Sequence, residues 1–250
     1  MRARSSNGPR IPSAFATLWN WARDRPVGAI AGTIVIVLVL VVAIGVPIIR
    51  HHEVVRLNRA VVRASTLLVK ALGNDAIFSG EPSASYEQLI DTAAALSRVH
   101  DGVVLSHIRF ARAAQRTALG YTDYASRVGF ELSQVAASQH LAQQSFADYE
   151  HAVTVLEASN IRNRTKAQRE VTQATSRARQ TSEAAYQECV LLEELTREFG
   201  ITQTDALRVF PTLGPHIGAT VASFGPRLEE AIQKAHILRK IFNPMARTPG

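Results

Sequence analysis

Ala125 to Leu156 reads ASRVGFELSQVAASQHLAQQSFADYEHAVTVL. Within it Ala125, Val128, Leu132, Val135, Gln139, Ala142, Phe146, Tyr149, Val153 and Leu156 follow one another at alternating steps of 3 and 4. At about 3.6 residues per turn, that spacing puts all ten on one stripe of a helix. A coiled-coil-type stripe of this length is stable only when a partner helix covers it. The next segment repeats the device with Val171, Ala174, Ala178, Thr181, Ala185, Leu192, Leu195 and Phe199, and Gly200 is expected to stop it. Asn160 and Asn163 mark the turn between the two helices. So short a link makes the neighbours antiparallel.

Upstream, Val54, Leu57, Val61, Ala64, Leu68 and Ala71 keep the same rhythm, and Gly73-Asn74-Asp75 and Ser79-Gly80-Glu81-Pro82 then mark a loop. Ser85-x-x-Gln88 has the form of a capping box, opening a helix whose apolar set includes Leu89, Ala93, Leu96, Val103, Val104 and Ala114. Asp101-Gly102 is expected to bend this helix and Gly120 to end it, with Thr122 or Asp123 capping its successor. Four antiparallel helices follow. Their seams are rich in Ala, Ser and Thr, so helix axes can approach closely while burying little apolar area each, at about 25 cal/mol per Å².

Beyond Gly200, Thr202-x-x-Asp205 can cap a short helix ended by Pro211, and Gly214-Pro215 and Gly225-Pro226 place Pro where helices start. A last helix from about Pro226 to Phe242 presents Leu228, Ile232, Ala235, Leu238 and Phe242 on one side. Residues 201–242 therefore read as a separate docking segment, and 243–250 as a tail.

Val27 to Ile49 runs 23 residues without a charged side chain. As a helix it covers roughly 34 Å, enough for a bilayer core of about 30 Å. A secretory signal has a shorter apolar run; Ala43-Ile44-Gly45 resembles a cleavage site, but the run continues past it to Ile49, so a retained anchor is expected. Arg23, Arg25 and Arg50 bound the span, and Trp19 and Trp21 suit the headgroup level on a short interfacial helix within residues 1–26. His51 and His52 read as interface residues. Gly28 and Gly32 form a small-x-x-x-small surface suited to contact with another membrane helix. Arginines near the two membrane ends nearly balance; long domains translocate largely regardless of such charge, and the expected orientation is N-terminus in the cytoplasm, bundle in the periplasm or its equivalent.

The predicted architecture is thus all-α: one N-terminal transmembrane helix (27–49) continuing into an elongated antiparallel four-helix bundle (50–200), with a short helical C-terminal segment. An anchor carrying a four-helix outer domain resembles chemoreceptor sensory modules in architecture. Those return through the membrane by a second span, and nothing after Ile49 is long or apolar enough for one.

The net charge of +7 invites a nucleic-acid reading until it is located. Residues 1–63 hold nine arginines against Asp24 and Glu53, whereas residues 64–250 hold nineteen basic and nineteen acidic side chains. The excess lies at the membrane flanks, where arginine meets anionic lipid heads; no nucleic-acid partner is expected. Cys189 stands alone, which excludes intramolecular disulfides, and its alanine-rich helix predicts a buried thiol. The chain has no Gly-rich phosphate loop, Gly-x-Ser-x-Gly or His-Glu-x-x-His, and no enzymatic activity is expected.

His100 and His107 fall on one helical line, and a hairpin apex at Gly120 would bring His140 level with His100. Facing imidazoles can ligate haem or a metal. Hydrogen-bonded seam or surface histidines are commoner, so no cofactor is expected. Arg109, Arg112 and Arg116 are spaced as one basic stripe that could dock a partner; Arg162, Arg164, Lys166 and Arg169 form a second cluster. The functional expectation is a non-catalytic accessory or scaffold subunit of a larger membrane complex, respiratory, photosynthetic, transport or envelope in kind. The alternatives are a ligand-sensing or haem- or metal-carrying periplasmic bundle and a self-associating coiled-coil spacer.

Overall fold

A computed structural model describes residues 26–74, 84–213 and 216–243, with side chains at 32–74, 86–198, 202–213 and 224–243. The chain is all-α: the described residues form five helices, the first long and apolar and the rest packed as a bundle, and no strand. Compactness divides it between Glu53 and Val54.

Helix α1 spans Pro26–Leu72. Pro26 opens it, where a missing N–H costs nothing, and the helix continues through Pro47. From Ile34 to Ile49 its large apolar side chains are 47–62% exposed, apart from the half-buried Val46. Among the described residues it is the one helix long and apolar enough to cross a membrane, with a mean hydropathy of 3.0 over its most apolar stretch, none of it buried. Beyond Val54 the same helix becomes one-sided: Leu57, Val61, Ala64, Leu68 and Ala71 are buried while Arg56, Arg59 and Arg63 are exposed.

In the second unit, α2 (Ala84–Val104) turns Leu89, Thr92, Leu96, Val99 and Val103 inward. The Ser85 hydroxyl of the expected capping box lies outside the described residues. Two long helices follow, α3 (Arg112–Ala158) and α4 (Arg164–Val209), paired antiparallel across the turn at Asn160–Asn163. All ten seam residues of α3 are buried or half-buried. Tyr124 donates a hydrogen bond to the Leu195 carbonyl, and Gln139 Nε2 lies 3.4 Å from Cys189 Sγ further along the pair. A short 3-10 turn, Pro211–Leu213, leads to α5 (His216–Phe242). This helix lies back on the hairpin: Arg239 Nε meets Glu183 Oε2 at 2.6 Å, and the Phe242 ring sits edge-on to Phe146 and Tyr149 at 6.0 and 5.1 Å.

Three expected boundaries are corrected. The α2–α3 break falls at Leu105–Ala111, and Gly120 lies inside α3. Ser106 holds the turn, its hydroxyl donating to Val103 O at 2.6 Å and its carbonyl accepting from Gln115 Nε2 at 3.2 Å. Gly200 likewise lies inside α4, which ends only before Pro211, where a proline disfavours helical backbone at the residue before it. Pro226 lies inside α5 and does not start it. Residues 201–242 are consequently no separate segment: their first part completes α4, and α5 adds a fifth member to the bundle.

Close approach of α2 and α3 depends on Gly129. A Cβ there would lie 2.5 Å from Leu96 Cδ1 and 3.5 Å from Ala93 Cα. Leu96 is fully buried, so its side chain has little room to yield.

Candidate functional site

The residues singled out from sequence do not converge. Trp19, Trp21, Arg23 and Arg25 lie outside the described residues, as do the surroundings of Gly28. A Cβ added at Gly32 would meet nothing within 4 Å. Arg50, His51 and His52 are exposed. The Thr122 hydroxyl donates to Ala118 O at 2.9 Å, leaving its oxygen to accept from His100 Nδ1–H at 3.2 Å. His100 therefore faces Thr122. His140 lies eighteen residues further along α3, roughly 27 Å at the helical rise. His107 is exposed in the α2–α3 turn and shares no helix face with His100. Among the described residues no three His, Cys, Asp or Glu side chains are grouped to hold a metal ion. Arg109 also lies in that turn, so the basic stripe reduces to Arg112 and Arg116 on the first turns of α3, both exposed.

A groove of about 860 Å³ runs along α3 between α2 and α4. Ala93, Ala94 and Ser97 from α2 and Ser126 and Ser133 from α3 line it with small side chains. Each helix adds one exposed large apolar side chain to the lining, Ile90, Phe130 and Leu191, which are 45%, 58% and 48% exposed, and the half-buried Leu195 lies among them. Arg127, Glu131, Glu194 and Glu198 supply its charge, which favours the negative sign.

Glu131 is the chemically distinctive group. Its Oε1 is buried with no hydrogen-bond partner among the described residues. Burial, then the hydrogen bond and charge of the neighbouring Glu188 carboxyl, push its carboxyl up to about 7. A folded pKa above the unfolded value of about 4.3 means the native state holds the extra proton between these limits. That contribution to stability is complete below about pH 4.3 and is lost as pH rises to 7. Glu131→Gln should remove this slope and, at pH 8, raise stability by on the order of 1 kcal/mol after allowance for solvent screening. Thermal melts of both proteins at pH 5 and pH 8 read the effect; parallel pH dependence would sink the assignment.

Other perturbed groups are structural. Burial pushes the Tyr121 hydroxyl up to about 12, against a hydrogen bond with Ser65, and raises Tyr124 together with the nearby Glu198 charge. The Cys189 thiol is fully buried as expected, and burial pushes it up to about 11, which leaves it without a reactive thiolate. The Lys166–Glu170 and Arg197–Glu193 pairs are exposed i, i+4 contacts of the kind that contribute little.

Sequence reasoning passed over the groove, although a signal for it existed. Ile90 stands beside seam residue Leu89, Phe130 beside the buried Gly129, and Leu191 beside seam residue Leu192. Large apolar residues one step off a seam cannot reach the core on that seam. Comparison with family models, curated proteins and solved structures finds no match to this chain.

Proposed function

We propose that this chain is a non-catalytic, single-pass membrane protein whose helical bundle serves as an accessory or scaffold subunit of a larger membrane complex. The observation that carries the reading is the change along α1. Its apolar stretch, Ile34 to Ile49, has no buried residue and is exposed except at Gly45 and Val46, while Leu57, Val61, Ala64, Leu68 and Ala71 pack into the core. A helix apolar on every face is at home in lipid, and one with a single apolar stripe is at home in a bundle. In this reading residues 27–49 anchor the chain, the N-terminus is cytoplasmic, and the bundle stands on the extracytoplasmic side. The groove bearing Ile90, Phe130 and Leu191 supports a docking role.

Mild-detergent purification of the full chain, with mass spectrometry and an absorption scan of the particle, tests the proposal. A stoichiometric set of membrane subunits is the expected result. A lone colourless monomer would turn the reading toward a ligand sensor, a self-associated particle toward a spacer, and a Soret band toward a haem carrier. Reversing Arg112 and Arg116 to Glu should leave folding intact, because acidic side chains suit the first turns of a helix. If this end of α3 docks the partner, that variant should recover at least tenfold less of it; undiminished co-purification removes these arginines from the interface.

A further inference from the structure

On the face where α1 meets α2, Arg59 and Arg63 from α1 and Arg98 from α2 line a second groove of about 390 Å³. Its remaining lining is small and apolar: Ala60, Ala95, Val99 and Gly102. The small residues open the space over which the three long side chains stand. All three arginines are exposed, and none forms an ion pair with a carboxylate among the described residues. Arg98 is held by its own helix, its Nε donating to Ala94 O at 3.2 Å, which leaves its two terminal amino groups for other acceptors. Asp101 follows Arg98 by one turn, yet it does not line the groove.

Other exposed arginines, such as Arg112 and Arg164, also stand without an ion pair among the described residues, but they are not gathered from two helices around one groove. Arg197, Arg208 and Arg239 each meet an acidic side chain. Here three like charges from two helices share one space with no acidic side chain in its lining, and a bound anion would relieve their mutual repulsion. Guanidinium groups present paired N–H donors that match two oxygens of a phosphoryl group at once, and three of them suit a dianion with several oxygens. A carboxylate, with two oxygens and one charge, would leave donors unused.

We propose that the Arg59–Arg63–Arg98 groove binds a phosphoryl anion, either the headgroup of an anionic lipid or a soluble phosphate ester. The site is built entirely from the second unit, so it stands whether or not the chain assembles with other subunits.

The test uses the full chain in neutral dodecyl maltoside. Native mass spectrometry counts bound dioleoyl phosphatidic acid, phosphatidylglycerol and phosphatidylcholine. Calorimetric titration with inorganic phosphate and with pyrophosphate probes the soluble source. Binding of phosphatidic acid over phosphatidylcholine, without pyrophosphate binding, identifies a lipid headgroup, and phosphatidylglycerol, a singly charged diester with two free oxygens, should bind more weakly than phosphatidic acid. Binding of phosphate or pyrophosphate identifies a soluble ester.

In either case the Arg59→Gln, Arg63→Gln, Arg98→Gln variant should bind at least tenfold more weakly, with unchanged circular dichroism because the three side chains are exposed. Arg162→Gln with Arg164→Gln, at the α3–α4 turn, should bind as the parent does. No preference for any of these anions by the parent, or undiminished binding by the triple variant, overturns the proposal. An equal loss in the turn variant would do the same, since it would reduce the effect to net charge.

Discussion

Gly129→Val is expected to lower the stability of the bundle by about 3 kcal/mol, the upper end for overpacking a closely packed interior. In a chain of this size that corresponds to roughly 6–12 °C in melting temperature. The cause is local: the first added carbon would stand 2.5 Å from Leu96 Cδ1, in a core where Leu96 is fully enclosed. Two companion variants separate this cause from any general intolerance of α3. Gly120→Ala lies in the same helix with nothing within 4 Å of the added carbon, so it should stabilise by about 0.5–1 kcal/mol through helix propensity. Leu96→Ala removes the atom that Gly129→Val would strike, so the double variant should be more stable than the sum of the single effects predicts. Additive effects would show that the two helices do not meet at Gly129 as described.

The second large effect concerns the anchor. Val37→Arg with Val41→Arg places two charges on one face near the middle of the apolar stretch. Each costs about 2.5–3.5 kcal/mol on insertion scales, and together they shift membrane partitioning by roughly four to five powers of ten. The double variant should pass from the alkali-resistant membrane pellet into the extractable fraction. Its helical signal should persist, because the buried face of α1 begins at Leu57. Alkaline extraction that released the parent chain equally well would defeat the reading of α1 as a spanning helix.

How the seams were legible, and where they were not, follows from particular residues. The α3 seam extends backwards from Ala125 through Tyr121, Ala118, Ala114 and Ala111 at the same steps of 3 and 4, and all four are buried. Gly120 lies off that line and is exposed, so it interrupts nothing. A glycine costs a helix about 1 kcal/mol, far less than the packing of such a seam supplies; placing helix ends at Gly120 and Gly200 gave too much weight to the residue and too little to the stripe. The true break, Leu105–Ala111, contains neither Gly nor Pro. It is held by Ser106 and Gln115, a contact nine residues apart that no local pattern announces. The placing of His140 opposite His100 failed with the misplaced break, because moving the hairpin apex changes which residues stand level. Both grooves combine residues from two or three helices, so their membership depended on register between elements.

From its own pattern the chain determined that it is all-α, where its long seams lie, that its thiol is buried, and which stretch is apolar enough for lipid. Each is a property of one helix or one composition window, set by the 3.6-residue turn and the transfer of apolar side chains from water. Tertiary structure alone decided where α2 gives way to α3, that α5 folds back on the hairpin, that Glu131 is pressed against Glu188, and that Arg59, Arg63 and Arg98 share one groove. Those outcomes depend on the relative register of packed helices. Register is settled by close contacts such as Gly129 with Leu96, between residues far apart in sequence.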